Sequence, residues 1–197
     1  MYGVLGEDDS DAETLDVVIR RLIQRPNLSV KRKGYGSCGQ LLRRGANQLR
    51  LFRDIGCTRF VVCYDSDGND PKERHGEVLE RILKPTQIPP FVSGMSLQGM
   101  TSCCCILIPV QEIEAWILAD IKAVSKVFTS WEPGPIQQNP ETIPSPKEFL
   151  ERLSELNHRK PIYSHATDNK EIAKHLDFGL VRQRCPSFGP LVDFVLN

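Results

Sequence analysis

Three apolar runs in this chain each end in carboxylates, and that placement is what most invites chemistry. Tyr2 to Leu5 opens into Gly-Glu-Asp-Asp-Ser-Asp at residues 6–11. Arg59 to Tyr64 ends in Asp65-Ser-Asp67-Gly68, and Cys103 to Val110 ends in Gln-Glu112-Ile-Glu114-Ala-Trp116. In an open α/β sheet the carboxyl ends of the strands line the ligand crevice. Acids gathered there from separate strands repel one another unless a cation lies between them, and oxygen ligands of this kind suit Mg²⁺ or Mn²⁺. The candidate metal ligands are Glu7, Asp11, Asp65, Asp67, Glu112 and Glu114, with Glu7, Asp65 and Asp67 as the catalytic set. One or two ions held this way would serve phosphodiester hydrolysis, by activating water and stabilising the leaving oxygen.

Each acidic group also has a plain structural account. Acids at a helix start favour the macrodipole, which covers Asp9, Asp11, Glu112 and Glu114, and Asp-Gly-Asn is ordinary turn chemistry. Capping explains Glu7 poorly, because Glu7 precedes the cap; Ser10 followed by Glu13 has the capping-box spacing. The conjunction of three acidic strand ends carries the metal reading. An EF-hand loop is excluded because the sixth position from Asp65 is Asp70, where glycine is required. A phosphoreceiver lacks its lysine after Val110, and a dehalogenase-type phosphatase wants Thr or Ser where Asn69 stands.

The net charge of zero hides an asymmetry. Residues 1–16 hold six acids and no Lys or Arg, whereas residues 17–60 hold eleven Lys or Arg and one acid, Asp54. An acidic pocket beside a basic surface suits a polyanion gripped by its phosphates. Arg43 and Arg44 beside the glycine loop, and Lys72 and Arg74 near His75, are the candidate nucleic-acid contacts.

These residues need a scaffold. Strand–helix alternation predicts an α/β fold with a mostly parallel central sheet flanked by helices. Strands are expected at Tyr2–Leu5, Leu28–Arg32 (an edge, given Lys31, Arg32 and Lys33), Arg59–Tyr64 and Ser102–Val110, the last reading as a central strand. Helices are expected at Ser10–Gln24, Gln40–Ile55, Pro71–Leu83, Glu112–Asp120, Pro146–Leu156, Asn169–Leu176 and the C-terminal end. Residues 1–130 form the core, 131–146 a Pro/Gly-rich loop or linker, and 147–197 a helical C-terminal extension. Seven cysteines without a Cys-x-x-Cys pair read as small buried hydrophobes. The acidic N-terminus is no signal peptide, and no run approaches a membrane span, so a cytoplasmic protein without membrane contact is expected.

Glu7-Asp8-Asp9-Ser10-Asp11 followed by Asp65-Ser-Asp67 resembles the Toprim domain, and within it the nucleases of the OLD type, with Asp8 standing where those have glycine. The chain is also similar over nearly its whole length to domain-of-unknown-function family 4276, regarded as Toprim-like. That likeness rests on Pro109-Val-Gln-Glu-Ile-Glu114-Ala-Trp-Ile-Leu-Ala-Asp120, Pro146-Lys-Glu-Phe149 and Cys185-Pro-Ser-Phe188. The resemblance implies a Toprim-like, Rossmann-like sheet and a Mg²⁺- or Mn²⁺-dependent nuclease of a bacterial anti-phage setting. It also implies an ATPase partner, DNA in preference to RNA, and room for a homodimer. The alternative it leaves is a non-catalytic, nucleic-acid-binding or regulatory subunit of an ATPase complex.

Overall fold

A computed structural model describes residues 1–155 and 160–197. Its centre is a four-stranded, wholly parallel sheet in the order β2-β1-β3-β4. The strands are β1 (Tyr2–Gly6), β2 (Val30–Gly34), β3 (Arg59–Cys63) and β4 (Cys103–Leu107). Parallel strands need crossovers, and these are helical: α1 (Asp9–Ile23) joins β1 to β2, and α2 (Cys38–Asp54) joins β2 to β3.

Side chains alternate across a strand, so β1, β3 and β4 each feed two cores. Val4, Val61, Cys63, Cys103 and Cys105 face α1 and the C-terminal helices. Leu5, Phe60, Val62, Tyr64 and Cys104 face α2 and the helix after β3. The triple cysteine run divides between the faces; all seven cysteines are free and six are buried.

The lysine- and arginine-rich β2 is an edge strand, as its charges predict, with Lys31, Arg32 and Lys33 exposed. β4 is not central as its apolar run suggests. It is the opposite edge, and its unpaired side is covered by Pro89–Phe91, where Phe91 N donates to Cys104 O at 2.7 Å and Cys104 N to Pro89 O at 3.0 Å. An edge closed by irregular chain can be as apolar as a central strand.

The helix expected over Pro71–Leu83 is α3 (Pro71–Val78), which passes through a π turn at Leu79–Leu83 into a short α4 (Lys84–Thr86). After β4 come α5 (Ala115–Ala119), a 3₁₀ segment at Ile121–Lys126, then α6 (Pro146–Leu153), α7 (His165–Ala173), α8 (Phe178–Arg184) and α9 (Gly189–Leu196). Leu156, the predicted end of α6, lies outside the described residues. α7 starts four residues before the predicted Asn169, because Asp168 Oδ2 accepts from Ser164 N at 2.7 Å and fixes the first turn there. The stretch between Trp131 and Pro146 is irregular apart from a 3₁₀ turn at Pro140–Thr142, yet Trp131 and Ile143 are buried. α9 returns to the sheet, with Phe194 packed 6.2 Å from Tyr2 and 5.2 Å from Phe91 between ring centroids. No helix among the described residues is long and apolar enough to cross a membrane.

One close approach holds the acidic end together. A Cβ on Gly34, at the end of β2, would lie 2.1 Å from the carbonyl carbon of Asp8 and 2.2 Å from Asp9 N. These are backbone atoms that cannot swing aside. Gly34→Ala is expected to cost about 3 kcal/mol or more. A thermal melt should show this as a fall of roughly 6–12 °C.

Candidate functional site at the carboxyl ends of the strands

The chain leaves β1 toward β2 on one side and returns at β3 on the other, so the topological switch point lies between β1 and β3. Ligand crevices form outside the carboxyl ends at such a point. Glu7 follows β1 and Asp65 follows β3, and the two meet there: Asp65 N donates to Glu7 Oε1 at 3.0 Å. Across the other side of β1, Tyr35 N donates to Glu7 O at 3.2 Å.

The start of α1 is capped by Asp8, not by Ser10. Asp11 N donates to Asp8 Oδ1 at 2.9 Å and Asp8 N to Asp11 Oδ2 at 3.1 Å, a complete capping box. Ser10 lies inside the helix, and its hydroxyl donates 2.7 Å to the backbone oxygen of His165 on α7.

β3 exits through a tight turn at Ser66–Asn69, where Asn69 N donates to Ser66 O at 2.8 Å. Asp67 and Gly68 both have positive φ, 48° and 75°, as a type I′ turn requires at its two central positions. The turn is tied to the strand beside it: Ser66 N donates to Pro109 O at 3.0 Å, the Ser66 hydroxyl donates to Val110 O, and Asp67 N donates to Gln111 O at 3.3 Å. That pairing sets the third acidic group beside the second. Asp67 is exposed, whereas Asp65 Oδ1 is buried with no hydrogen-bond partner.

Glu112 and Glu114 precede α5 and take different hydrogen-bond partners. Glu112 Oε2 accepts from Lys147 N at 3.0 Å, and Oε1 lies 3.4 Å from Lys147 Nζ. Burial lowers the Lys147 ammonium, but the facing Glu112 and Glu114 charges together outweigh it and raise it. Glu114 is buried; its Oε1 accepts from Asn169 Nδ2 at 2.9 Å, and Asn169 Oδ1 accepts from the Tyr163 hydroxyl at 2.5 Å.

The electrostatics mark one shared region. Burial, then the neighbouring Asp67 charge, pushes the Glu7 carboxyl up to about 7. Burial also pushes Glu114 up to about 7, against the pull of the Asn169 hydrogen bond. Asp11 is raised by burial and by the charges of Asp8, Glu114 and Glu7. Asp65 is raised by burial and then by Asp11, Glu114, Glu7 and Asp67. Six carboxyls from three strand ends, Glu7, Asp8, Asp11, Asp65, Asp67 and Glu114, therefore act on one another, while Glu112 is paired with Lys147. The donor set is all oxygen, a chemistry that fits a hard divalent cation, and Asp65 Oδ1 is a buried acceptor without a hydrogen-bond partner. Among the described residues, however, no three His, Cys, Asp or Glu side chains are grouped as a formed metal site.

The basic candidates divide. Arg74 is fixed beside the crevice: its Nη1 donates to the Tyr64 hydroxyl at 2.7 Å and to Glu77 Oε2 at 3.0 Å, and its guanidinium lies 5.0 Å from the Tyr64 ring centre. Lys72 is exposed on α3, and Arg43 and Arg44 are exposed on α2. Other members of the basic stretch do structural work. Arg32 pairs with Asp16, and Arg21 Nη1 donates to Ala173 O and Leu176 O at the end of α7.

Sequence reasoning missed Tyr163 and Asn169 as neighbours of the acidic group, and Tyr64 and Glu77 as the partners that hold Arg74. Lys147 lies in the Pro146–Phe149 motif, but nothing local pairs it with Glu112. Among curated proteins nothing matches this chain, and among solved structures nothing does either. The family described as a domain of unknown function, DUF4276, matches residues 6–196, and the chain belongs to that family.

Proposed function

We propose that this chain is a Toprim-like nuclease that hydrolyses phosphodiester bonds of nucleic acid, DNA in preference to RNA, with Mg²⁺ or Mn²⁺. The observation that carries the reading is Asp65: a carboxylate at the switch point, one oxygen buried and unpartnered, with Glu7, Asp11 and Glu114 repelling it. An unpaired buried charge is costly unless the group protonates or a cation compensates it. The relation to Toprim domains rests on Glu7 after β1 and Asp65-Ser-Asp67 after β3.

Glu7, Asp65 and Asp67 would hold the principal ion, and Asp11 with Glu114 or Glu112 would hold or orient a second. Such an ion, when bound, stabilises charge on the phosphate and lowers the pKa of a water. Glu7 has one oxygen committed to Asp65 N, which leaves the other to face the ion. Arg74, braced by Tyr64 and Glu77, offers positive charge beside Glu7, and Lys72, Arg43 and Arg44 would grip the backbone without reading sequence.

A second reading has one observation in its favour, the absence of a formed three-residue metal group among the described residues. It makes the chain a non-catalytic, nucleic-acid-binding or regulatory subunit of an ATPase complex. Cleavage of supercoiled plasmid and of single-stranded DNA, with Mg²⁺ or Mn²⁺ and with chelator, separates the two. Ion-dependent nicking by the purified chain is expected. A folded chain that never cleaves, and that copurifies with an ATPase, establishes the second reading.

A further inference from the structure

We infer that Asn169, on the C-terminal extension, is a positioning residue that orients Glu114 toward the cation site, with Tyr163 fixing the amide. The inference rests on the cation-site reading of the crevice and extends the site to helices far from its strands. Glu114, Asn169 and Tyr163 are 4%, 1% and 2% exposed, so hydrogen bonds within the protein, and not water, hold their side chains in place. The chain of bonds has a direction. The Tyr163 hydroxyl donates to Asn169 Oδ1 at 2.5 Å, which turns the amide nitrogen toward Glu114 Oε1 at 2.9 Å. An amide held at both ends is a fixed donor, and it commits one carboxylate oxygen of Glu114. The charge of that carboxylate bears on Asp11 and Asp65.

α7, which carries Asn169, is in turn registered against the helix that carries Asp11. Ser10 Oγ donates to His165 O at 2.7 Å, and Lys170 Nζ donates to Glu13 Oε2 at 2.6 Å. A single rigid helix thus links Asp11 and Glu114, two acids from different strand ends. Outer partners that orient a ligand in this way are worth 10–100-fold in metal affinity.

The test is Mn²⁺ binding to the full chain by titration calorimetry, read together with the melting temperature. Asn169→Ala is expected to weaken Mn²⁺ by roughly 10–100-fold, and Tyr163→Phe by less. Ser154→Ala removes the hydroxyl that accepts from Tyr163 N at 3.2 Å and should lower the melting temperature with affinity unchanged. In a Glu114→Gln background, adding Asn169→Ala should change affinity by no more than about twofold, because Asn169 acts only through Glu114. Wild-type affinity in Asn169→Ala, or full additivity in the double variant, overturns the inference while leaving the cation site standing. Should Asn169→Ala not fold, unchanged affinity in Tyr163→Phe overturns it instead. A wild-type chain that binds no Mn²⁺ overturns the cation site and this inference together.

Discussion

Asp65→Asn is expected to abolish ion-dependent cleavage and, in the metal-free protein, to raise the melting temperature. Asp65 Oδ1 is buried without a partner, and four other carboxyls raise the cost of its charge. An amide of the same shape removes that charge and supplies a donor in a region crowded with acceptors. Relief of one unsatisfied buried group is worth about 1–2 kcal/mol. For a chain of this size that is a rise of roughly 2–8 °C. The same substitution takes the central ligand from the proposed ion. A loss on the order of 10³-fold or more in rate, equal to about 4 kcal/mol of barrier, should follow. Calorimetry of the metal-free protein and plasmid nicking give the two numbers. Wild-type cleavage by the variant would move the site elsewhere, and a fall in melting temperature would make Asp65 a structural residue.

That pairing of opposite effects separates function from architecture. Glu112 also follows the third apolar run, but it accepts from Lys147 N and faces Lys147 Nζ, so its charge is matched. Asp8 caps α1 by accepting from Asp11 N at 2.9 Å, and Asp9 accepts from Gly34 N at 3.1 Å. Matched acids stabilise a fold, whereas unmatched ones are kept against stability, as active-site groups often are.

Glu7 and Asp65 were legible as neighbours because alternating strands and helices predict parallel β1 and β3, and both acids leave at the same end of the sheet. The place of β4 was not legible. Its unbroken apolar run signals burial on both faces, and burial on the outer edge comes from Pro89–Phe91, which no periodicity announces. The cap was misplaced because Ser10–Glu13 and Asp8–Asp11 share the same spacing. The choice was made by a contact 155 residues away, where the Ser10 hydroxyl is taken by His165 O. Asn169 and Tyr163 had no local signal, because their role depends on α7 lying against α1. Charge counting read residues 17–60 as one basic surface. It could not separate exposed Arg43 and Arg44 from Arg21, whose guanidinium closes the end of α7.

The metal-free protein is expected to lose stability as pH rises from about 5 to 8, and a divalent cation to restore it. Glu7 and Glu114 have carboxyls at about 7 in the fold against 4.5 outside it. Below 4.5 both states hold these protons, and the full contribution is present. Between the two values the unfolded chain gives up protons that the folded one retains, so stability falls with pH until the folded carboxyls ionise near 7. Raised Asp11 and Asp65 add in the same direction. One pKa unit is worth about 1.4 kcal/mol, so nearly buried Glu114 alone removes roughly 3 kcal/mol. Glu77, held low by its hydrogen bond to Arg74, has the opposite sign but acts at more acid pH. A cation must displace the same protons, so its affinity rises over the same window. At a hundredfold excess over its Kd it returns about 2.7 kcal/mol. Melts from pH 5 to 8, in chelator and in Mn²⁺, should therefore diverge as pH increases. Curves in chelator that climb steadily to pH 8 would mean that these carboxylates are already ionised and satisfied, and the crevice would then have no need of an ion.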